Sequence, residues 1–198
     1  MAQQLGFFQE RQRLIVSTPA GRIVYFEPVF SRAECESLFE VLLQTMPWSS
    51  ERMWMYEKLV EVPRLVASYE PGADLPEPLQ LVKNRAEEFL NEPFNGVSLN
   101  YYRDGTDSVA WHSDHSEGLI RHPTVALVSF GATRSMLFRS KSPPRHQLRC
   151  DLEPGSILAM RGDIQQHWEH HIPKVKAPTD ARISVALRTK AAATPLNP

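Results

Sequence analysis

The sequence predicts a mainly β member of the α+β class: a jelly roll, or double-stranded β-helix, with supporting helices toward the N-terminus. Three observations predict it. From Gly96 onward, short strand patterns recur at near-regular spacing, divided by turn signals such as Arg103-Asp104-Gly105 and Glu153-Pro154-Gly155. Before that point, apolar residues follow helical spacing behind clear start signals. Proline, at 16, outnumbers glycine, at 9, which favours turns and edges over long helices. The 198 residues can bury one sizeable core and are too few for two comfortable ones.

The helical part is expected in the first half. Ser31-Arg32-Ala33-Glu34 reads as a capping box, in which the Ser hydroxyl and the Glu carboxylate satisfy backbone amides that the first turn leaves unpaired. Leu38, Phe39, Leu42 and Met46 follow on one face. Pro76 to Leu90 reads as a second helix, with proline at its start and Leu79, Val82, Ala86 and Phe89 on one stripe. Strands are expected over Val97 to Arg103, Ser108 to Trp111, Val125 to Phe130, Ser135 to Phe138, Gln147 to Leu152, Ser156 to Met160 and Ala181 to Leu187.

Composition excludes several classes. The formal net charge of -1 argues against a protein held to nucleic acid by bulk charge. No stretch approaches the roughly 18 apolar residues of a membrane span. The opening Met-Ala-Gln-Gln-Leu-Gly-Phe-Phe has no basic region followed by a long apolar one. Cys35 and Cys150 are the only cysteines, without CxxC spacing, so neither a disulfide framework nor a cysteine zinc site is expected, and the default setting is the reducing cytoplasm. Charge is nonetheless uneven. Glu27 to Glu92 holds 13 acids against 6 bases, whereas Arg134, Arg139, Lys141, Arg145 and Arg149 form a run with no acid among them. Alternating with Leu137, Phe138 and Leu148, that run suits a strand pair with one buried and one basic face. It reads either as a solvated hairpin or as a phosphate-contacting strip.

Three groups of residues carry chemistry. His112-Ser113-Asp114 follows a strand, and residues two apart on an extended chain face the same way, so His112 and Asp114 can share a ligand. One more histidine would complete the 2-His-1-carboxylate set that leaves metal positions open in non-haem Fe(II) oxygenases. His167, His170 and His171, around Trp168, offer it, and spacing alone does not choose among them. On the last strand Arg182, Ser184, Ala186 and Arg188 share one face and Ile183, Val185 and Leu187 the other. Two arginines flanking small residues suit a dicarboxylate, whose charge would offset the cost of burying guanidinium groups. Asn100 and Tyr102 share a strand face and offer neutral hydrogen bonds as an opposite wall.

These residues carry a resemblance. Asn100-Tyr101-Tyr102-Arg103-Asp104-Gly105, His112-Ser113-Asp114, Val128-Ser129-Phe130-Gly131-Ala132, His167-Trp168-Glu169-His170 and Arg182 through Arg188, in that order, resemble the AlkB family of Fe(II)- and 2-oxoglutarate-dependent dioxygenases, and most closely its DNA-repair members similar to the second and third human homologues. The resemblance spans about Val62 to Arg188. It implies His112, Asp114 and His170 as iron ligands, with His171 a minor alternative because Glu169 replaces the usual aromatic. It implies Asn100, Tyr102, Arg182 and Arg188 as 2-oxoglutarate contacts, with Arg188 alternatively bracing Asp114. For substrate it points to Met55 and Tyr56 at the tip of a base-probing hairpin and to Arg64 in a Pro-Arg pair; where this chain departs from the family, Tyr69 is a candidate for an aromatic wall and His115 a further candidate substrate contact. Arg139 and Lys141 would contribute phosphate contacts from the basic run.

The implied reaction is oxidative demethylation of N-alkylated bases in single- or double-stranded DNA, of the N1-methyladenine and N3-methylcytosine type. It consumes O2 and 2-oxoglutarate and releases succinate, CO2 and formaldehyde, with the target base turned out of the stack. The expected organisation is a helical support and substrate-lid region over 1–95, a catalytic core over 96–190 integrated with it, and a flexible tail over 191–198. A cytoplasmic monomer without membrane contact is expected. Two departures bear on the substrate. Glu70-Pro71-Gly72-Ala73-Asp74 stands where many relatives carry a Tyr-x-Tyr-Ser-Gly loop, and His115-Ser116 stands where they carry acids. They keep open an AlkB-like oxygenase acting on RNA, protein or a small metabolite. A third reading, a cupin-like metal module without oxygenase turnover, is disfavoured by the arginine strand.

Overall fold

The structure, a computed structural model, describes residues 12–55, 58–114 and 118–191. Its strands are β1 (Gln12–Thr18), β2 (Gly21–Phe26), β3 (Ser49–Met55), β4 (Lys58–Tyr69), β5 (Gly96–Tyr102), β6 (Val109–His112), β7 (Thr124–Gly131), β8 (Arg134–Ser140), β9 (Gln147–Leu152), β10 (Ile157–Gly162), β11 (Trp168–Ile172) and β12 (Arg182–Arg188). Two long helices, α1 (Arg32–Thr45) and α2 (Glu77–Leu90), and one turn of helix, α3 (Ile164–His167), complete it. The strands form an eight-stranded sheet in the order β1-β2-β10-β7-β12-β5-β4-β3 and a four-stranded sheet in the order β6-β11-β8-β9. Every pairing is antiparallel among the described residues. This is the double-sheet jelly roll the strand spacing predicts.

The first 95 residues are less helical than their apolar spacing suggests. They supply β1 and β2 to one edge of the large sheet and β3 and β4 to the other. The helical signals that were legible hold. The Ser31 hydroxyl accepts from the Glu34 amide at 3.3 Å while the Glu34 carboxylate accepts from the Ser31 amide at 2.7 Å, a complete capping box. α2 buries Leu79, Val82, Ala86 and Leu90. Phe89, expected on that stripe, is 40% exposed and sets its ring edge-on to Phe26.

Two cores explain the burial pattern. On one face of the large sheet, α1 and α2 pack Leu38, Leu42, Leu79 and Val82 against Ala126, Val128, Phe130, Ile183, Val185 and Leu187. On the other face, the small sheet closes Met136, Phe138 and Ile172 onto Val125, Leu127, Leu158 and Ala186. β7 and β12 are therefore covered on both sides and buried along nearly their whole length. A strand with one solvated face alternates between apolar and polar residues, whereas a doubly covered one is apolar throughout. Gly131, at φ +81°, allows α1 to lie close: a Cβ there would strike the Ala181 carbonyl and the Phe39 ring.

In the small sheet, β8 turns Met136 and Phe138 inward, 4% and 0% exposed. Leu148, paired with Phe138, lies at the rim and is 36% exposed, so the buried face of that hairpin is narrower than its sequence pattern implies.

Leu42, on the inner face of α1, is fully buried. Leu42→Ala is expected to destabilise the fold by about 2–5 kcal/mol in chemical denaturation, through lost transfer energy and the cavity left behind.

Candidate active site

The minor sheet brings two histidines side by side. His112 ends β6, His170 sits in the middle of β11, and the antiparallel register pairs them directly, with ring centroids 4.2 Å apart. Asp114, two residues beyond the strand, places Oδ2 3.9 Å from His170 Nε2. One ligand atom from each of His112, Asp114 and His170 lies within 4.8 Å of the others. Two imidazoles and one carboxylate suit a divalent first-row ion with open positions.

The protonation states favour that use. His112 Nδ1 lies 2.9 Å from the Ala110 carbonyl; donating there leaves the Nε2 lone pair free, the arrangement typical of metal-ligating histidines. Burial pushes the His170 imidazole down to about 4, with Asp114 opposing the shift and His112 and Arg188 adding to it. His170 is thus neutral near pH 7 and can ligate without losing a proton. The other two histidines lie elsewhere. His167 ends α3 and is exposed. His171 points to the outer face of the sheet, stacked on Trp111 at 5.0 Å, with Nδ1 2.5 Å from the Val109 carbonyl.

Facing the triad across the inter-sheet space is the polar stripe of the large sheet. Arg182 is opposite Tyr102 on β5, Ser184 is flanked by Asn100 and Ser129, and Ala186 belongs to the inter-sheet core. Arg182 is 1% exposed. It donates to Ser129 Oγ at 2.9 Å and lies 5.2 Å from the Tyr102 ring centroid, yet its Nε has no partner and, among the described residues, no carboxylate pairs with it. Burial lowers its pKa and raises that of Tyr102. A buried guanidinium without a counter-charge is costly and an anion relieves it, so this stripe fits a carboxylate co-substrate such as 2-oxoglutarate. Arg188, at the other end of β12 and nearer His170, donates to Ser98 Oγ at 3.1 Å and likewise leaves Nε unpaired.

Several expected roles change. Arg188 makes no described bond to Asp114; that carboxylate is held by Gln165, a residue sequence reasoning missed. Arg64 donates to Asn100 Oδ1 at 2.6 Å, which ties it to the β5 face that also carries Tyr102. Tyr69 packs on the helical side of the large sheet, with its hydroxyl toward Met46 Sδ, so it does not line the site. Arg134 is not part of a basic surface: 1% exposed, it donates to the carbonyls of Asp104, Asp107 and Pro173. Arg139 lies on the outer face, paired with Glu169 at 2.7 Å and 4.3 Å from the Trp111 ring centroid. Arg149 pairs with Asp151, and the Lys141 ammonium donates to the Gln165 carbonyl. The basic run is thus largely engaged within the protein, with Arg145 in an exposed turn. The Met55 side chain, Tyr56 and His115 lie outside the described residues.

No described helix is long and apolar enough to cross a membrane. The pattern of the 2OG-Fe(II) oxygenase superfamily matches residues 64–188. Alpha-ketoglutarate-dependent dioxygenase alkB homolog 3 of Homo sapiens is 30% identical over 92% of this chain and 77% of its own length. Its Bos taurus counterpart is 34% identical over 79% of this chain and 62% of its own. DNA oxidative demethylase ALKBH2 of Mus musculus is 31% identical over 81% of this chain and 77% of its own. The chain belongs to the 2OG-Fe(II) oxygenase superfamily and, within it, to the AlkB family of Fe(II)- and 2-oxoglutarate-dependent dioxygenases.

Proposed function

We propose that the protein is an oxidative demethylase of N-alkylated nucleobases in DNA, of the N1-methyladenine and N3-methylcytosine type. The observation that carries it is the pairing of a His-Asp-His cluster with a buried arginine that has no carboxylate partner among the described residues, across one inter-sheet space. A plain metal site has no need of that arginine; a dicarboxylate-dependent oxygenase does. The nucleobase assignment draws on the relatives named as alkB homolog 3 and as DNA oxidative demethylases.

In this reading His112, Asp114 and His170 hold Fe(II). Arg182, with Tyr102 and Ser129 fixing its plane, receives one carboxylate of 2-oxoglutarate, and Asn100 and Arg188 line the same wall. Bound there, iron and 2-oxoglutarate supply an O2-derived oxidant, with succinate and CO2 as co-products. The chain's own work is to keep the His170 imidazole neutral, to orient Asp114 and to hold the co-substrate away from bulk water. That chemistry would place one oxygen atom of O2 in succinate and the other on the N-methyl carbon. Loss of the resulting hydroxymethyl group as formaldehyde would return the C–N electron pair to the base nitrogen and release the hydroxyl proton to solvent. Arg64, fixed on Asn100, stands at the wall nearest the co-substrate. The hairpin residues Met55 and Tyr56, with His115, belong to the proposed substrate side. Arg139 and Lys141 are not assigned phosphate contacts, since Glu169 and the Gln165 carbonyl engage them.

The deciding experiment is succinate release and base restoration on a panel of methylated DNA, RNA and free nucleosides. N1-methyladenine or N3-methylcytosine repaired in a DNA oligonucleotide is the expected result. Turnover confined to RNA or to nucleosides would reject the DNA assignment.

Asp114→Ala and His170→Ala are each expected to abolish 2-oxoglutarate turnover, and His167→Ala to leave it near wild type. Full turnover in Asp114→Ala would contradict the ligand set. Arg182→Ala is expected to raise the KM for 2-oxoglutarate about 10- to 100-fold, the loss of a charge-assisted pair; an unchanged KM in steady-state assays would remove the clamp.

A further inference from the structure

We propose that Gln165 is a positioning residue for the metal carboxylate and that Lys141, in the basic hairpin, is the strut that holds Gln165 in place. Metal affinity would then depend on a lysine outside the metal site. The proposal rests on the reading of Asp114 as a metal ligand.

Gln165 grips Asp114 twice. Its Nε2 donates to Asp114 Oδ2 at 2.9 Å and its Oε1 accepts from the Asp114 amide at 3.1 Å. This reciprocal pair defines the orientation of the side-chain amide, because a flipped amide would set oxygen against oxygen and N–H against N–H. It also explains why the residue is an amide: a glutamate could accept from the Asp114 N–H but would set a second carboxylate against the first. Gln165 is 8% exposed and its Nε2 also lies 3.3 Å from Met160 Sδ, so water is largely excluded from this contact. The grip matters because Asp114 lies past the end of β6, where no strand ladder fixes it; among described residues, its side chain's hydrogen-bond partner is Gln165.

Gln165 itself sits on a single turn of helix, too short to be rigid alone. The hairpin beyond β8 braces that turn at two points. The Lys141 ammonium donates to the Gln165 carbonyl at 2.9 Å, and the Lys141 amide donates to the His167 carbonyl at 2.9 Å. The ammonium contact uses a carbonyl at the end of a helical turn, where a cation is favoured. The chain of contacts thus runs from hairpin to helical turn to carboxylate. Partners of this kind, one shell out from a metal, commonly set its affinity by 10- to 100-fold.

The test is Mn(II) binding to the full chain by titration calorimetry, without nucleic acid, alongside the visible charge-transfer band formed with Fe(II) and 2-oxoglutarate under anaerobic conditions. Gln165→Leu is expected to weaken Mn(II) binding about 10-fold or more and to weaken the band. Lys141→Met is expected to shift both in the same direction by a smaller factor, with the melting midpoint of the metal-free protein unchanged, and Lys141→Arg to restore them. A lysine serving only as a phosphate contact would move neither readout. Wild-type Mn(II) affinity in Gln165→Leu overturns the proposal, and wild-type affinity in Lys141→Met overturns the strut. Should Gln165→Leu fail to fold, Lys141→Met with its arginine rescue decides alone. Asp114→Asn separates this proposal from the reading beneath it: unchanged Mn(II) affinity there would remove Asp114 as a ligand, whatever Gln165 does.

Discussion

The register between β6 and β11 is the constraint on which the site depends. Side chains alternate faces along β11, whose pairing with β6 carries one irregularity between His170 and Ile172, so a slip of one residue would turn His170 outward and bring Glu169 or His171 in. The inter-sheet core resists that slip. Phe138 beside His170, and Ile172 two residues on, are almost fully buried, and moving either to the solvent face would expose a large apolar group. The choice of histidine is therefore made by hydrophobic burial in neighbouring strands and not by the histidines. Trp111 and Arg139 reinforce it from outside by giving His171 and Glu169 partners on the outer face.

The large sheet contributes a different economy of space. Because helices cover one face of β12 and the small sheet the other, alternate residues of one strand serve two environments. Ile183, Val185 and Leu187 anchor the helical core, while Arg182, Ser184 and Arg188 face the site. Ser184, Ala186 and Ser129 set small side chains along this face, and the guanidinium groups of Arg182 and Arg188 stand at its two ends. Arg134 closes the far end by tying three backbone carbonyls together, a structural use of a charge that simple counting assigns to the surface.

Much of this was legible from residues alone, for physical reasons. Capping at Ser31 and Glu34 is local chemistry, and the two-residue alternation of Arg182 to Arg188 follows from strand geometry. β1, β3 and β4 were not read as strands because polar residues interrupt their apolar ones, as suits edge and near-edge positions, whereas the apolar, buried run Ile23 to Tyr25 of β2 was a strand signal that the helical reading of the first half passed over. The histidine choice needed a register, which spacing along one chain does not supply. Gln165 carried no signal, since an amide on a short helical turn resembles any loop residue until Asp114 is placed beside it. The basic run misled because net charge is blind to partners: Glu169 and Asp151 lie outside it in sequence and against it in space.

The guanidinium of Arg182, buried with no carboxylate partner among the described residues, has a consequence for the stability of the whole fold. A folded chain that must bury a positive charge without an anion sits higher in free energy than one that binds the anion, and the unfolded chain has no such site. By mass action, resistance to unfolding then climbs with the logarithm of free 2-oxoglutarate once its concentration passes the dissociation constant. The co-substrate in this architecture is also a folding ligand, and the free energy of unfolding follows its concentration.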